Sequence, residues 1–295
     1  MHIQEFIRYL AAEKHYSPHT LIAYEADLEQ FKDFLQSTYA ISHIKDADSL
    51  IIRSWIAQIL ESGISARSVN RKLSTLKSYF RFLIKWDFVK ENPMLKVVAP
   101  RTPDRLPLFI DSEKMNQLLD SDIFENNFKG IRSKMILEIL FATGIRVAEL
   151  IALKHKDINT SALTLIVMGK RSKQRIIPFN SALLEIINEY VSVKKKEFGN
   201  LANEDYFITT VKGKKAYPEL IYNTVKRNLQ FITTHKRKSP HVIRHTFATA
   251  MLNNGAELNA IKELLGHSSL AATQVYTHNT IERIKNIYQQ AHPKA

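Results

Sequence analysis

The sequence predicts a mainly α-helical protein in two domains, with a small antiparallel β-sheet confined to the second. Three observations lead there. Apolar residues recur at helical spacing through the N-terminal third. A stretch carrying Pro93, Pro100, Pro103 and Pro107 then interrupts any regular element. Alternation of period two occurs in Leu163–Met168 and Arg175–Phe179, on either side of Gly169-Lys170-Arg171-Ser172.

Taken in order, Ile3, Phe6, Ile7 and Leu10 mark a first helix. Ser17-Pro18 starts a second, with serine as N-cap and proline at the first helical position. Leu21, Tyr24, Leu28, Phe31 and Leu35 form its apolar stripe. A third helix is expected over Ser49–Leu60, stopping at Gly63. Ser65 caps the fourth, whose apolar face is Val69, Leu73, Leu76, Phe80 and Leu83. Its opposite face carries Arg67, Arg71, Ser74, Arg81 and Lys85, basic groups interleaved with a small polar one. Such a face suits a row of phosphates; taken alone it equally describes a solvated side of a bundle helix.

ENPMLKVVAPRTPDRLPLFI reads as an extended basic linker. The expected boundaries are residues 1–98 for the helical domain, 99–108 for the linker and 109–295 for the second domain. In the latter, helices are expected over Asp111–Ser121 and Phe128–Ala142, ending at Gly144, followed by a short helix carrying Arg146 and Glu149. After the hairpin come helices over Ser181–Val193 and Pro218–Thr233, and one starting near His241 and closed by Asn254-Gly255. Leu258–Leu265 forms another, Gly266 turns the chain at His267, and Ile281–Gln290 is an amphipathic tail. No internal repeat is visible.

Composition narrows the partner. Length allows two cores of ordinary size: 295 residues, 45% hydrophobic and 24% charged. The net charge of +13 and a pI of about 9.7 favour a polyanion. There are no cysteines, which excludes disulfides and thiolate zinc sites and suits the cytoplasm. The N-terminal MHIQEFIRYLAAEKHYS lacks an apolar signal core, and no apolar run reaches bilayer length. Nucleic acid therefore precedes a membrane as the partner.

The stretch Ser239–His278 concentrates His241, Arg244, His267 and Tyr276, with Arg146 and Lys170 upstream. These residue types suit phosphodiester chemistry. Charge on the non-bridging oxygens must be stabilised, an attacking oxygen activated and a leaving oxygen protonated. Arg146 and Arg244 are candidates for the first task, since guanidinium is planar, always charged and bidentate. His241 lies three residues from Arg244, on the same helical face. Lys170 at a hairpin tip suits a mobile proton donor, a role open equally to Arg171 or Lys173. Tyr276 suits a nucleophile whose phenolate nearby cations favour. His241 and His245 are spaced for zinc, but Val242 stands where a metalloprotease motif carries glutamate; no metal or cofactor is expected, and His245 is read as structural.

The ordered set Arg146, Lys170, His241-x-x-Arg244, His267, Tyr276 resembles the tyrosine recombinase (lambda-integrase) family. ATGIRVAEL, GKRSKQRIIPF, SPHVIRHTFAT, LLGHSSL and TQVYTH carry the likeness. SPHTLIAYEADLEQFKDFL and SVNRKLSTLKSYFRFLIKWDFVKENP look like that family's SAM-like, DNA-clamping core-binding domain. Nearly the whole chain is covered, and within the family the likeness is nearest to XerC/XerD-type site-specific recombinases. The resemblance implies an α+β catalytic domain in which Arg146 and Arg244 bind phosphate. It implies Lys170 as general acid, His241 as proton-transfer partner of the tyrosine, His267 as a phosphate ligand and Tyr276 as nucleophile. Glu149 matches an acidic position that supports the first arginine. Arg171-Ser172 departs from the Gly-Asn type of turn common among relatives. The resemblance further implies double-stranded DNA as substrate and a homo- or hetero-tetramer with a paralogous recombinase. It also implies a tail docked on a neighbour and activation by a DNA translocase. Arg67, Arg71 and Arg81 are the DNA-contact candidates of the first domain. Mobile-element integration, a type IB topoisomerase and a catalytically silent DNA-binding protein share some of these features.

Overall fold

The computed structural model describes residues 2–102, 108–169, 174–235, 237–266 and 278–293. Mainly α-helical, with one three-stranded antiparallel sheet, it has the fold class expected from sequence. The chain divides into two compact units, Met1–Arg105 and Leu106–Ala295.

The first unit comprises α1 (His2–Ala12), α2 (Pro18–Tyr39), α3 (Ser49–Glu61) and α4 (Ala66–Lys85). Side-chain caps start three of them. Ser17 Oγ accepts from the Thr20 amide, Asp48 from the Leu50 and Ile51 amides, and Ser65 from the Ser68 amide. Phe6, Leu10, Leu28, Phe31, Trp55, Val69, Leu73, Leu76, Phe80 and Leu83 meet in one core. Leu21 and Tyr24 are half-buried and pack against this core, and Phe34 joins it. One sequence expectation needs correction: the start of the supposed linker belongs to this unit. Pro93–Lys96 is a 3-10 turn, Met94 and Val97 are buried, and Arg53 and Asn70 donate to the Lys96 and Pro100 carbonyls. Proline is compatible there because it occupies the first position of the turn.

The second unit contains α5 (Ser112–Leu119), α6 (Phe128–Thr143), α7 (Val147–Ala152), β1 (Ile158–Asn159), β2 (Thr164–Met168), β3 (Gln174–Pro178), α8 (Ser181–Phe198), α9 (Pro218–Leu229), α10 (Pro240–Asn253), α11 (Leu258–Leu265) and α12 (His278–Ala291). The sheet order is β1-β2-β3, with Thr164 opposite Pro178 and Met168 opposite Gln174. β1 was not foreseen, because two residues carry no periodicity. Helix α8 runs on to Phe198, beyond the expected Val193, through a lysine run of good helix formers. Lys194 in that run is buried, with Nζ against the carbonyls of Tyr206 and Phe207 and 3.0 Å from His155 Nε2. Helix α9 stops at Leu229, short of Thr233. Almost every side chain of α6 is buried, making it the central helix of this unit.

The tail helix α12 packs on its own unit: Ile284, Tyr288 and Ala291 join the core, and Tyr288 Oη donates to the Ala142 carbonyl at 2.9 Å. Lys285 Nζ donates to the Ala162 carbonyl and Asn254 to that of Ala291. The amphipathic pattern marks a face to be covered without specifying which core covers it. No helix among the described residues is long and apolar enough to cross a membrane.

On the basic face of α4, Arg71 donates through both terminal nitrogens to Asp27, a carboxylate only 2% exposed. Lys72 Nζ and Thr75 Oγ1 donate to the same group at 2.9 Å each. Asp27→Ala leaves these donors without their acceptor. Denaturant unfolding is expected to show a loss of about 1–3 kcal/mol, with Asp27→Asn falling between the variant and wild type.

Candidate active site

The site begins where α6 ends. Gly144 caps this helix in the left-handed conformation at φ 59°. A Cβ there would lie 2.6 Å from a ring carbon of Phe247 and 2.9 Å from Leu265, so the position excludes any side chain. The chain then enters α7 with Arg146 as its N-cap. Glu149 Oε2 accepts the Arg146 amide at 2.7 Å, and Oε1 accepts Arg146 Nη1 at 2.9 Å. Glu149 thus caps the helix and orients the guanidinium at once. Arg146 remains partly exposed, at 29%.

Helix α10 supplies the second guanidinium. Val242, Ile243, Phe247 and Met251 are buried, and Arg244 shares their side of the helix at 9% exposure. Its Nη1 donates to the Gly144 carbonyl at 2.5 Å and its Nη2 to the Leu265 carbonyl at 2.7 Å. Strand β3 brings a third, which sequence reading missed. Arg175 Nη1 and Nη2 donate to the two carboxylate oxygens of Glu149 at 2.8 Å each, and Nε donates to Leu264 at 2.7 Å. A signal for it existed: Arg175 alternates with the buried Ile177 and Phe179, a charge on an apolar strand face.

Helix α11 is the meeting point. Arg175 donates to the carbonyl of Leu264, Arg244 to that of Leu265 and Arg146 to that of Gly266 at 3.0 Å. The last carbonyls of a helix lack intrahelical donors and carry partial negative charge, so three cations there are favourable. Gly266 turns out of α11 at φ 64°, and a Cβ on it would meet Arg175 Nη1 at 3.0 Å.

Burial depresses the pKa of Arg244 to about 10, with the neighbouring Arg146 adding to the effect; it stays protonated at neutral pH. Burial pushes the Glu149 carboxyl up, but the hydrogen bonds and charge of Arg175, then those of Arg146, outweigh it and hold the pKa below its ordinary 4.5. Glu149 and Arg175 form a buried pair of no net charge, so among the described residues of this cluster Arg146 and Arg244 add two positive charges to it.

His241 sits exposed in the first turn of α10, one turn before Arg244. His245 is exposed as well, against its expected structural place; on α10 the side next to Ile243 and Phe247 faces the core, and position 245 does not. Lys170, His267 and Tyr276 lie outside the described residues. Of the six site candidates, the described residues thus place Arg146 and Arg244 on one set of carbonyls, with His241 on the helix that carries Arg244. In the first unit Arg67, Arg71 and Arg81 are all exposed on α4. Arg81 Nε turns back to the Lys77 carbonyl and Arg71 is anchored on Asp27.

Residues 109–283 match the Phage integrase family, and residues 3–86 match the Phage integrase N-terminal SAM-like domain. Tyrosine recombinase XerC of Pelobacter propionicus is 38% identical over 294 residues, 99% of this chain and 95% of the relative. Tyrosine recombinase XerD of Staphylococcus aureus is 32% identical over 293 residues, 99% of both chains. In fold, the XerH site-specific recombinase in a post-cleavage complex with palindromic difH superposes with a TM-score of 0.72 at 19% identity, over 96% of this chain and 83% of that one. The chain belongs to the phage integrase family, the tyrosine recombinases. It is an enzyme that cleaves and rejoins DNA, of the XerC/XerD type.

The depressed Glu149 pKa fixes the sign of one pH effect. A carboxyl whose folded pKa lies below its unfolded value adds stability that is present above the unfolded value, about 4.5, and lost as pH falls through the folded one. Thermal melting of wild type and Glu149→Gln is expected to differ most at pH 7 and to converge as the solution is acidified below pH ~4.

Proposed function

We propose that this recombinase exchanges DNA strands at a specific site through a 3′-phosphotyrosyl intermediate and a Holliday junction, and that its task is the resolution of chromosome dimers. The observation that carries the reading is the pair of guanidinium groups, Arg146 and Arg244, held on adjacent carbonyls in a cluster of three arginines and one carboxylate. A phosphodiester has one negative charge; attack by a phenolate raises this to two in the phosphorane. Two fixed positive charges therefore match the transition state better than the ground state.

Tyr276 is the nucleophile in this reading. Its oxygen bonds to the scissile phosphorus and the bond to the 5′ oxygen breaks. Lys170 donates a proton to that oxygen, while His241 assists loss of the phenol proton and His267 bonds a non-bridging oxygen. Phosphate-bond energy is kept in the phosphotyrosyl ester, so a 5′ hydroxyl from the partner duplex reverses the step without ATP. No cofactor is assigned. The exposed His241, one turn from Arg244, supports its place in the set. Residues 1–98 act as the clamp on the duplex through Arg67, Arg71 and Arg81, joined by the 99–108 linker to catalytic residues 109–295. The working assembly is a tetramer on two duplexes, of one subunit type or of two paralogues, in the cytoplasm, with a DNA translocase as activator.

A nicked duplex carrying the recombination site tests the chemistry, because the short 5′ fragment diffuses away and traps the covalent intermediate. Wild type is expected to give a denaturation-resistant protein–DNA band, Tyr276→Phe none, and Lys170→Ala a band formed markedly more slowly. Absence of the wild-type band on DNA that the protein binds counts against the mechanism.

The clamp is tested separately by fluorescence anisotropy over a range of salt concentrations. Arg67→Ala and Arg81→Ala are each expected to lower the slope of log affinity against log salt by about one. An unchanged slope removes that residue from the contact surface.

A further inference from the structure

Arg175 has no role in the mechanism above, yet its guanidinium makes three hydrogen bonds of 2.7–2.8 Å at 6% side-chain exposure. Two run to Glu149, the carboxylate that also receives the amide and Nη1 of Arg146. A buried carboxylate facing a single arginine takes both arms of its fork and neutralises it. Here the fork that fills both oxygens belongs to Arg175. Among the described residues, Arg146 gives Glu149 one side-chain bond and Gly266 another, two of the five N–H donors that a guanidinium carries. The third Arg175 bond, to Leu264, ties the same unit to the carbonyls that receive Arg244 and Arg146.

We propose that Arg175 is a positioning residue for strand cleavage: it saturates Glu149, so that this carboxylate orients Arg146 without consuming its charge. The proposal rests on the reading of Arg146 as a phosphate ligand. The competing role is packing alone, a buried ion pair fastening β3 to α7 and α11.

Single-turnover cleavage of the nicked duplex separates the two. The full chain is used as wild type, Arg146→Ala, Arg175→Lys and the double variant, with either phosphate or methylphosphonate at the scissile position. Lysine keeps the charge and loses the planar fork. Methylphosphonate replaces a charged non-bridging oxygen by methyl and relieves the need for one guanidinium.

Arg175→Lys is expected to slow cleavage of the phosphate about 10–100-fold, as loss of an orienting partner does. Relative to wild type on the same substrate, methylphosphonate is expected to recover most of that loss. In the Arg146→Ala background the further loss is expected to stay within about twofold, since both changes act through one group. Equal losses on both substrates, multiplying losses in the double variant, or a wild-type rate for Arg175→Lys overturn the proposal. Should circular dichroism show that Arg175→Lys does not fold, Arg175→Gln replaces it, which keeps an N–H donor at this position and leaves Glu149 paired with Arg146. The same ratio between substrates decides. Failure of wild type to form any covalent complex brings down the reading of the site and the positioning role with it. A normal wild-type complex with multiplying losses brings down the positioning role alone.

Discussion

Three arginine side chains on the last carbonyls of α11 are the constraint on which the second unit depends. A helix of eight residues has little stability of its own, and its C-terminal carbonyls need donors from elsewhere. Arg146, Arg175 and Arg244 supply them from the start of α7, from β3 and from α10. Three elements far apart in sequence are thereby fixed around one short stretch of backbone. The left-handed conformations of Gly144 and Gly266 fit this arrangement: Gly144 presents its carbonyl to Arg244, and Gly266 leaves space beside Arg175.

Such a cluster is electrostatically costly. Burial, and after it the nearby guanidinium groups of Arg146 and Arg175, pulls the pKa of Arg244 down to about 10. Glu149 makes the arrangement tolerable by neutralising one charge at its centre. Buried ion pairs contribute less to stability than their contact distances suggest, because desolvation offsets attraction. Their value here is geometric: donors are aimed before DNA arrives, so reorganisation is not required during the reaction. The same logic is repeated on a smaller scale in the first unit. Asp27, buried in α2, holds Arg71 and Lys72 of α4 at fixed positions on the basic face.

Much of the fold was legible because its signals are local. Helix caps at Ser17, Ser65 and Gly144 depend on residues a few positions away, and each ends or begins its helix as read. The apolar stripe of α4 is buried in full. What escaped reading was non-local or too short. The two residues of β1 carry no period, Pro93–Lys96 is held by a core its own composition does not announce, and α12 covers its own unit although its pattern permits any apolar partner. In the site, Arg146, Arg244 and Glu149 could be named from spacing and family likeness. Arg175 was missed although its alternation with Ile177 and Phe179 puts a charge on an apolar strand face, because the carboxylate that explains it, Glu149, lies 26 residues away.

By itself, then, the sequence determined the residue types, their order and their helical phase, since these depend on backbone propensity and side-chain periodicity within a few turns. It placed Glu149 three residues after Arg146, a spacing at which one turn of helix brings a carboxylate back to its own N-cap. Only the tertiary structure decided that Arg175 would share that carboxylate, and that Leu264, Leu265 and Gly266 would each receive a guanidinium from a different element. The reason is that a charge taken from water finds its partner through packing in three dimensions, where the residues brought together are 26, 89, 21 and 120 positions apart.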